Sequence, residues 1–413
     1  MTTLAEPPTL WRNGDFVRFW FGESISLLGT QVTTLALPLT AIHAFGATDS
    51  QVGVLRFLQL APYLGFALVF GVWVDRARRR RVMLGANLIR MVLLALIPIL
   101  HWLDLLTLPS LLAMACAIGV ASVLYDVSWM AYVPALVEDP RQYVDASSKL
   151  AISSSASDVA GPGLAGLLIG WLTAPVALIV DAVSYALSIV SLLLIRRPEP
   201  RPDPAARRRL SVELRDGLRW VLGTPVLRAL AVAGLCCNFS MITVWTMFLL
   251  YATNDLGLGS TTLGLIFATA SAGGLIGASL ARRIVARFPV GRVYLVAQSL
   301  LLLGPGLIVI TPGPQVALFV LSFFVSYLGL GVAGVIIVSL RQSTTPQAMM
   351  GRMTAVFRTL LFGGGALGGL TAGLLAAAIG ARGALIAAAI GSAAVVPALL
   401  LSPVIRLRRL PAQ

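Results

Sequence analysis

Long apolar runs follow one another along almost the whole of this chain, and each is long enough to cross a bilayer. A spanning helix needs about 20 apolar residues. Bounded by charges, Pro or Gly, the runs cover about 17–44, 52–74, 82–101, 108–134, 146–171 and 175–195. They resume at about 226–252, 261–281, 292–311, 315–340, 353–380 and 384–405. Composition agrees: 58% of the 413 residues are hydrophobic and 12% charged, where a soluble domain is about a quarter charged. Barrel strands would alternate apolar and polar residues, and the run from Met91 to Leu100 does not. The predicted fold is therefore an all-α membrane protein with twelve transmembrane helices. The longest polar stretch, Arg196 to Arg209, is too short to fold alone. That excludes a soluble catalytic domain within these residues.

The charges orient the spans. There are 31 Lys+Arg against 17 Asp+Glu, a formal net charge of +14. With the N-terminus placed in the cytoplasm, the inner loops hold Arg76, Arg78 to Arg81, Arg141, Arg282, Arg283, Arg287, Arg292, Arg341 and Arg352. The outer loops hold Arg382 alone. This asymmetry predicts a multi-pass cell-membrane protein with both termini cytoplasmic and basic loops held against anionic lipid. It accounts for the charge without nucleic acid, because no aromatic-interleaved basic fold accompanies it. Residues Met1 to Asp15 are polar, with Pro7 and Pro8, so no cleavable signal peptide is expected. Cys116, Cys236 and Cys237 lie in apolar runs without C-x-x-C spacing. Neither a metal site nor a disulfide framework is expected from them.

A linker divides the chain. Residues 196–204 are Pro- and Arg-rich and should be extended. Leu210, Leu214, Leu218, Val221 and Leu222 then recur at helical spacing up to Pro225, which predicts a short amphipathic helix at the inner interface. The domains read as 1–195, a six-span N-terminal half; 196–225, a cytoplasmic linker; and 226–413, a six-span C-terminal half. At an offset of 207 residues, Gly161–Gly166 falls on Gly368–Gly373 and Asp75-Arg76 on Arg282-Arg283. The halves are thus expected to be pseudo-symmetric, an architecture in which transporters hold substrate near the midplane.

Two motifs stand out. The connection between spans 2 and 3 carries Gly71, Asp75, Arg76, Arg79 and Arg80. Glycine permits close helix approach, Asp75 sits at the membrane edge, and the arginines anchor the loop. Span 5 carries Gly161, Pro162, Gly163 and Gly166. These fit G-x-G-x-x-G, but they follow a Ser-rich helix rather than a strand, so the dinucleotide reading fails. Small residues with a proline inside a membrane helix mean close packing and a local bend.

The first of these motifs resembles the signature loop of the major facilitator superfamily, and the resemblance extends from Phe19-Trp20 to the last span. Gly161-Pro162 to Gly166 resembles the Gly-Pro element of antiporters in that superfamily. The segments at Tyr132–Val137, Asp145–Lys149 and Asp181–Ser184 resemble the macrolide-efflux and enterobactin-exporter-like branch. The resemblance implies a gating role for the loop, with Asp75 capping the start of span 11 near Gly351 to Thr354. Two departures weigh against a full carry-over. Arg282 stands where Asp75 would repeat, and span 4 has Tyr125-Asp126 in place of a buried arginine.

Charges at membrane depth are costly and mark candidate sites. They are Glu23, Arg56, Arg90, Asp126, Asp158, Asp181 and Arg358. Each is either part of a structural ion pair or part of a transport site. Arg90 and Asp126 both lie about 12 Å from the inner boundary on consecutive spans, which predicts an ion pair. Asp158, nearer the midplane, leads the candidates for a proton or substrate site, with Glu23 and Asp181. There is no P-loop and no H-E-x-x-H, so no cofactor is called for and transport would run on a gradient.

The function these readings point to is a monomeric secondary transporter. It would export a small, partly apolar molecule by alternating access, in exchange for protons. The same fold importing a nutrient, or acting as an uncoupled facilitator, remains an alternative. A membrane enzyme or lipid-modifying protein would need a converging catalytic set, and the only two histidines, His43 and His101, are expected at distant outer helix ends.

Overall fold

The structure is a computed structural model that describes residues 10–137, 140–197, 199, 210–309, 315–346 and 349–408. Fourteen α-helices follow one another among the described residues. Before the linker come α1 (Gly14–Phe45), α2 (Asp49–Leu60), α3 (Pro62–Arg76), α4 (Arg79–Trp102), α5 (Leu108–Leu136), α6 (Pro140–Leu172) and α7 (Ala174–Leu193). Then come α8 (Leu210–Gly223), α9 (Pro225–Leu250), α10 (Ser260–Arg287), α11 (Val290–Leu303), α12 (Gly306–Val309), α13 (Val316–Thr344) and α14 (Met350–Leu400). Nine helical stretches among the described residues are long and apolar enough to span a membrane on their own.

The expected twelve passes are recovered once three local features are read. Span 2 is broken into α2 and α3 at Ala61, where Pro62 begins the second piece. Span 5 is α6, whose Ser-rich first half lowers its hydropathy. Spans 11 and 12 are both in α14. A straight helix of its 51 residues would be about 77 Å long, more than twice the hydrocarbon core. The chain turns back at Gly380, whose φ of 75° and ψ of 161° are open to glycine almost alone.

The linker end of the bundle is tied together by backbone and side-chain bonds. Asp15 accepts hydrogen bonds from the backbone N–H of Arg196 (3.1 Å) and Arg197 (3.0 Å). Arg80 donates to the carbonyls of Leu192 (2.9 Å) and Leu193 (3.0 Å), closing the C-terminus of α7. Glu199 accepts from the backbone N–H of Arg79 (2.7 Å) and Arg80 (3.2 Å). A carboxylate there satisfies two orphan donors at the start of α4 and complements its dipole. On the other side, α8 buries Val221 in the core of the later helices, and Arg352 reaches Asp216 at 3.3 Å. The C-terminal segment returns to this same end, where the Gly291 N–H donates to the Leu407 carbonyl at 2.9 Å.

Burial divides the bundle unevenly. At the linker end there are two separate apolar cores. One gathers Phe16, Phe19, Met83, Tyr132 and Leu192 from the helices before the linker. The other gathers Leu230, Tyr294, Ile336, Met353 and Phe357 from those after it. Away from the linker a single core joins both sets, with Leu39, Val52 and Leu111 packed together with Leu250, Leu263 and Ala376.

Candidate functional site

Glycines make the joint at the far end. A Cβ on Gly53 of α2 would stand 2.5 Å from the Cα of Gly373 on α14. A Cβ on Gly166 of α6 would stand 2.5 Å from the Ser260 carbonyl oxygen and 2.8 Å from the Cα of Gly264 on α10. Backbone meets backbone at both crossings, so neither tolerates a side chain without separation of the helices. Gly161 has a different neighbour: its missing Cβ leaves space for the side chain of Gln31 on α1.

Below this joint lies a cavity of about 390 Å³. Its walls come from both sets of helices: Gln31, Arg56, Asp158 and Pro162 on one side, and Trp245, Phe267 and Tyr327 on the other. Gln31 donates its side-chain amide to Asp158 at 2.7 Å. Arg56 lies 4.9 Å from the ring centroid of Trp245 and donates to Gln59 at 3.1 Å. Its alkyl stem runs over Gly369, where a Cβ would come within 2.9 Å of it.

A second cavity, of about 470 Å³, lies toward the linker end and is lined by Glu23, Asp126, Trp129, Ser147 and Arg358. Asp126 accepts from Arg358 at 2.9 Å and from the hydroxyl of Tyr63 at 2.7 Å. Tyr63 stacks on Phe362 with ring centroids 4.0 Å apart. Glu23, 8% exposed, accepts from the hydroxyl of Tyr125 at 2.5 Å.

The expected Arg90–Asp126 ion pair is therefore corrected. Arg90 is buried between the rings of Tyr125 and Tyr185, 4.3 and 4.2 Å from their centroids. It donates to the Tyr185 hydroxyl at 3.2 Å and to Asn87. The reason is rotational. Successive helical residues differ by about 100°, so Tyr125 turns into the interior of the first set while Asp126 faces α3 and α14. Asp181 is also interior, fully buried and held by the hydroxyls of Thr33 and Ser184.

The seven membrane-depth charges thus separate into three places. Asp158 and Arg56 line the central cavity, Glu23, Asp126 and Arg358 line the linker-end cavity, and Arg90 and Asp181 sit inside the first set. In the signature loop, Gly71, Asp75 and Arg76 fall on α3, but their side chains lie outside the described residues. The expected contact of Asp75 with the start of span 11 lies outside them too. Arg79 and Arg80 occupy the capped junction of α4 with α7. Sequence reasoning passed over Gln31, Trp245 and Tyr327, which are neutral. The usable signal was a glutamine and a tryptophan inside otherwise apolar runs.

Comparison with known proteins agrees with this architecture. The sequence profile of the Major Facilitator Superfamily matches residues 19–369 and also 230–412. Multidrug efflux pump Tap of Mycolicibacterium fortuitum is 26% identical over 378 residues, covering 89% of this chain and 91% of its own. Macrolide efflux protein A of Streptococcus pyogenes is 21% identical over 324 residues, 77% of this chain and 78% of its own. A bacterial homologue of the human lysosomal transporter Spinster, crystallised in an inward-facing, unoccupied conformation, shares the fold. Its TM-score is 0.74 at 15% identity, over 97% of this chain and 98% of that one. With two sets of spanning helices around a shared cavity, and a family match along nearly its whole length, this multi-pass membrane protein belongs to the major facilitator superfamily of transporters.

Proposed function

We propose that the protein is a secondary active exporter of a small, partly apolar molecule, working by alternating access in exchange for protons. The observation that carries this reading is the central cavity. Its walls come from both sets of helices, which share a core at one end only. A rocking motion that opens the glycine joint and brings the two linker-end cores together would expose the cavity to the other side. The arginine asymmetry favours a cytoplasmic linker end. The efflux pumps among its relatives favour export over import.

In this reading residues 1–195 and 226–413 are the moving halves, and 196–225 is the tether between them. Asp158 serves substrate or proton at the centre, and Glu23 supplies a second carboxylate on the way to the linker end. Asp181, held by the hydroxyls of Thr33 and Ser184, serves structure. Asp75 latches the linker end when it closes, so Asp75→Asn slows transport without harming membrane insertion. The protein works as a monomer among anionic lipids.

The test supplies candidate compounds to the medium around inside-out vesicles, where export reads as uptake. Uptake should require a proton gradient and fall at least tenfold in Asp158→Asn. Uptake that persists at full rate after the gradient is collapsed overturns proton coupling.

A further inference from the structure

The central cavity holds one cation and one anion that do not neutralise each other. No ion pair of 4.0 Å or less joins Arg56 to Asp158, and the partners described above for each are uncharged. The Nε of Arg56 is buried and has no hydrogen-bond partner. Tyr327 lines the same cavity as both. Isolated charges at membrane depth are costly, and a buried donor without a partner adds to that cost. A ligand carrying a single charge would relieve one and leave the other. Trp245 and Phe267 supply an aromatic wall, stacked at 5.1 Å between ring centroids, beside which an apolar ring can lie.

We propose that the central cavity binds zwitterions: molecules with an aromatic or otherwise apolar body, an amine directed to Asp158 and an acidic group directed to Arg56. This rests on the reading of the cavity as the substrate site and narrows its ligand class. Gln31 fixes the carboxylate of Asp158 in place, and Gly161 gives Gln31 the space to do so. Trp245 sets the guanidinium of Arg56 from one face, leaving its positive charge for an acidic group in the cavity. The cavity volume, about 390 Å³, falls within the range of small-molecule sites.

Three probes of one skeleton separate the charges. Nε-dansyl-lysine carries both, dansylcadaverine lacks the carboxylate, and N-dansyl-aminocaproic acid lacks the amine. Binding to the full-length protein in nanodiscs is read by energy transfer from tryptophan to the dansyl group, without any gradient. Nε-dansyl-lysine should bind at least tenfold more tightly than either single-charge probe. In Arg56→Gln its affinity should fall to that of dansylcadaverine, and in Asp158→Asn to that of the acid. Equal binding of Nε-dansyl-lysine and dansylcadaverine by the unaltered protein overturns the proposal, as does binding of all three no better than to empty nanodiscs. The comparison within the unaltered protein holds even if a variant fails to fold. Transport of the same probes in proteoliposomes is a separate readout. Binding with the expected charge pattern but without transport would support the zwitterion site and count against the exporter reading.

Discussion

Arg358 extends its guanidinium to Asp126, 2.9 Å away, across the seam between the helices before the linker and those after it. The two residues are 232 positions apart in the chain. Tyr63 holds the same carboxylate oxygen, and its ring stacks on Phe362 one turn from Arg358. The pair is thus part of a polar and aromatic bridge between α3, α5 and α14, at the boundary between the central cavity and the linker end.

This bridge predicts energetic coupling. The side chains are 21% and 36% exposed, so solvent screens the pair and its contribution is modest, about 1 kcal/mol or less. A double-mutant cycle on thermal stability in detergent should show Arg358→Gln and Asp126→Asn to be non-additive by about 0.5–1 kcal/mol. The cycle of Arg90→Leu with Asp126→Leu should be close to additive. Coupling at Arg90 and none at Arg358 would reverse the assignment.

A second prediction concerns the glycine joint. At Gly166 a methyl group would stand against backbone atoms of Ser260 and Gly264, which cannot rotate away. Overpacking of this kind costs about 1–3 kcal/mol. Gly166→Ala should therefore shift the protein away from the state seen here by roughly tenfold. A cysteine in place of Leu263, fully buried in the core that both sets share and introduced after Cys116, Cys236 and Cys237 are removed, reports on the shift. Its reaction with an impermeant maleimide should quicken in the Gly166→Ala background. An unchanged rate would mean that the joint does not open at this crossing.

The number of passes was legible in the sequence because a spanning helix needs only length and apolarity, and both are local. The charges at membrane depth were legible for the same reason: each interrupts an apolar run. What they pair with was not. Tyr125 and Asp126 are neighbours in the chain, yet one closes on Glu23 inside the first set and the other on Arg358 across the seam. That choice is made by helix rotation and by residues 102 and 232 positions away. The span-5 glycines were recognised as packing residues, but not that Gly161 serves Gln31 while Gly166 serves Gly264. The break at Ala61 was also missed, although Pro62 marks it.

Orientation supplies a third prediction. Cysteines at Pro204 and at Gly257 should react with an impermeant reagent from opposite sides of the membrane. The linker should be reached from inside, and the turn before α10 from outside. Labelling at Pro204 from outside in intact cells would invert the whole arrangement, and with it the direction of the proposed export.

The last prediction concerns pH at the closed face. Asp49 opens α2 ahead of its apolar run and lies across the seam from Asn254 and Asp255. Its carboxylate accepts from Asn254 at 3.4 Å. Burial, and then the like charge of Asp255, raise its pKa above the ordinary carboxylate value, while the bond from Asn254 acts the other way. When the joint opens, burial and repulsion are both relieved and the pKa returns toward normal. The closed state therefore holds the proton more tightly than the open one, and by linkage protonation favours closure. As pH falls through the raised pKa the closed state gains stability, and above it that gain is lost. The cysteine at position 263 should thus react more slowly as the medium at that face is acidified, after correction for the thiolate fraction of a free thiol. Asp49→Asn keeps the side-chain shape without the titration and should flatten the profile. A profile unchanged in Asp49→Asn would assign the pH response to another group.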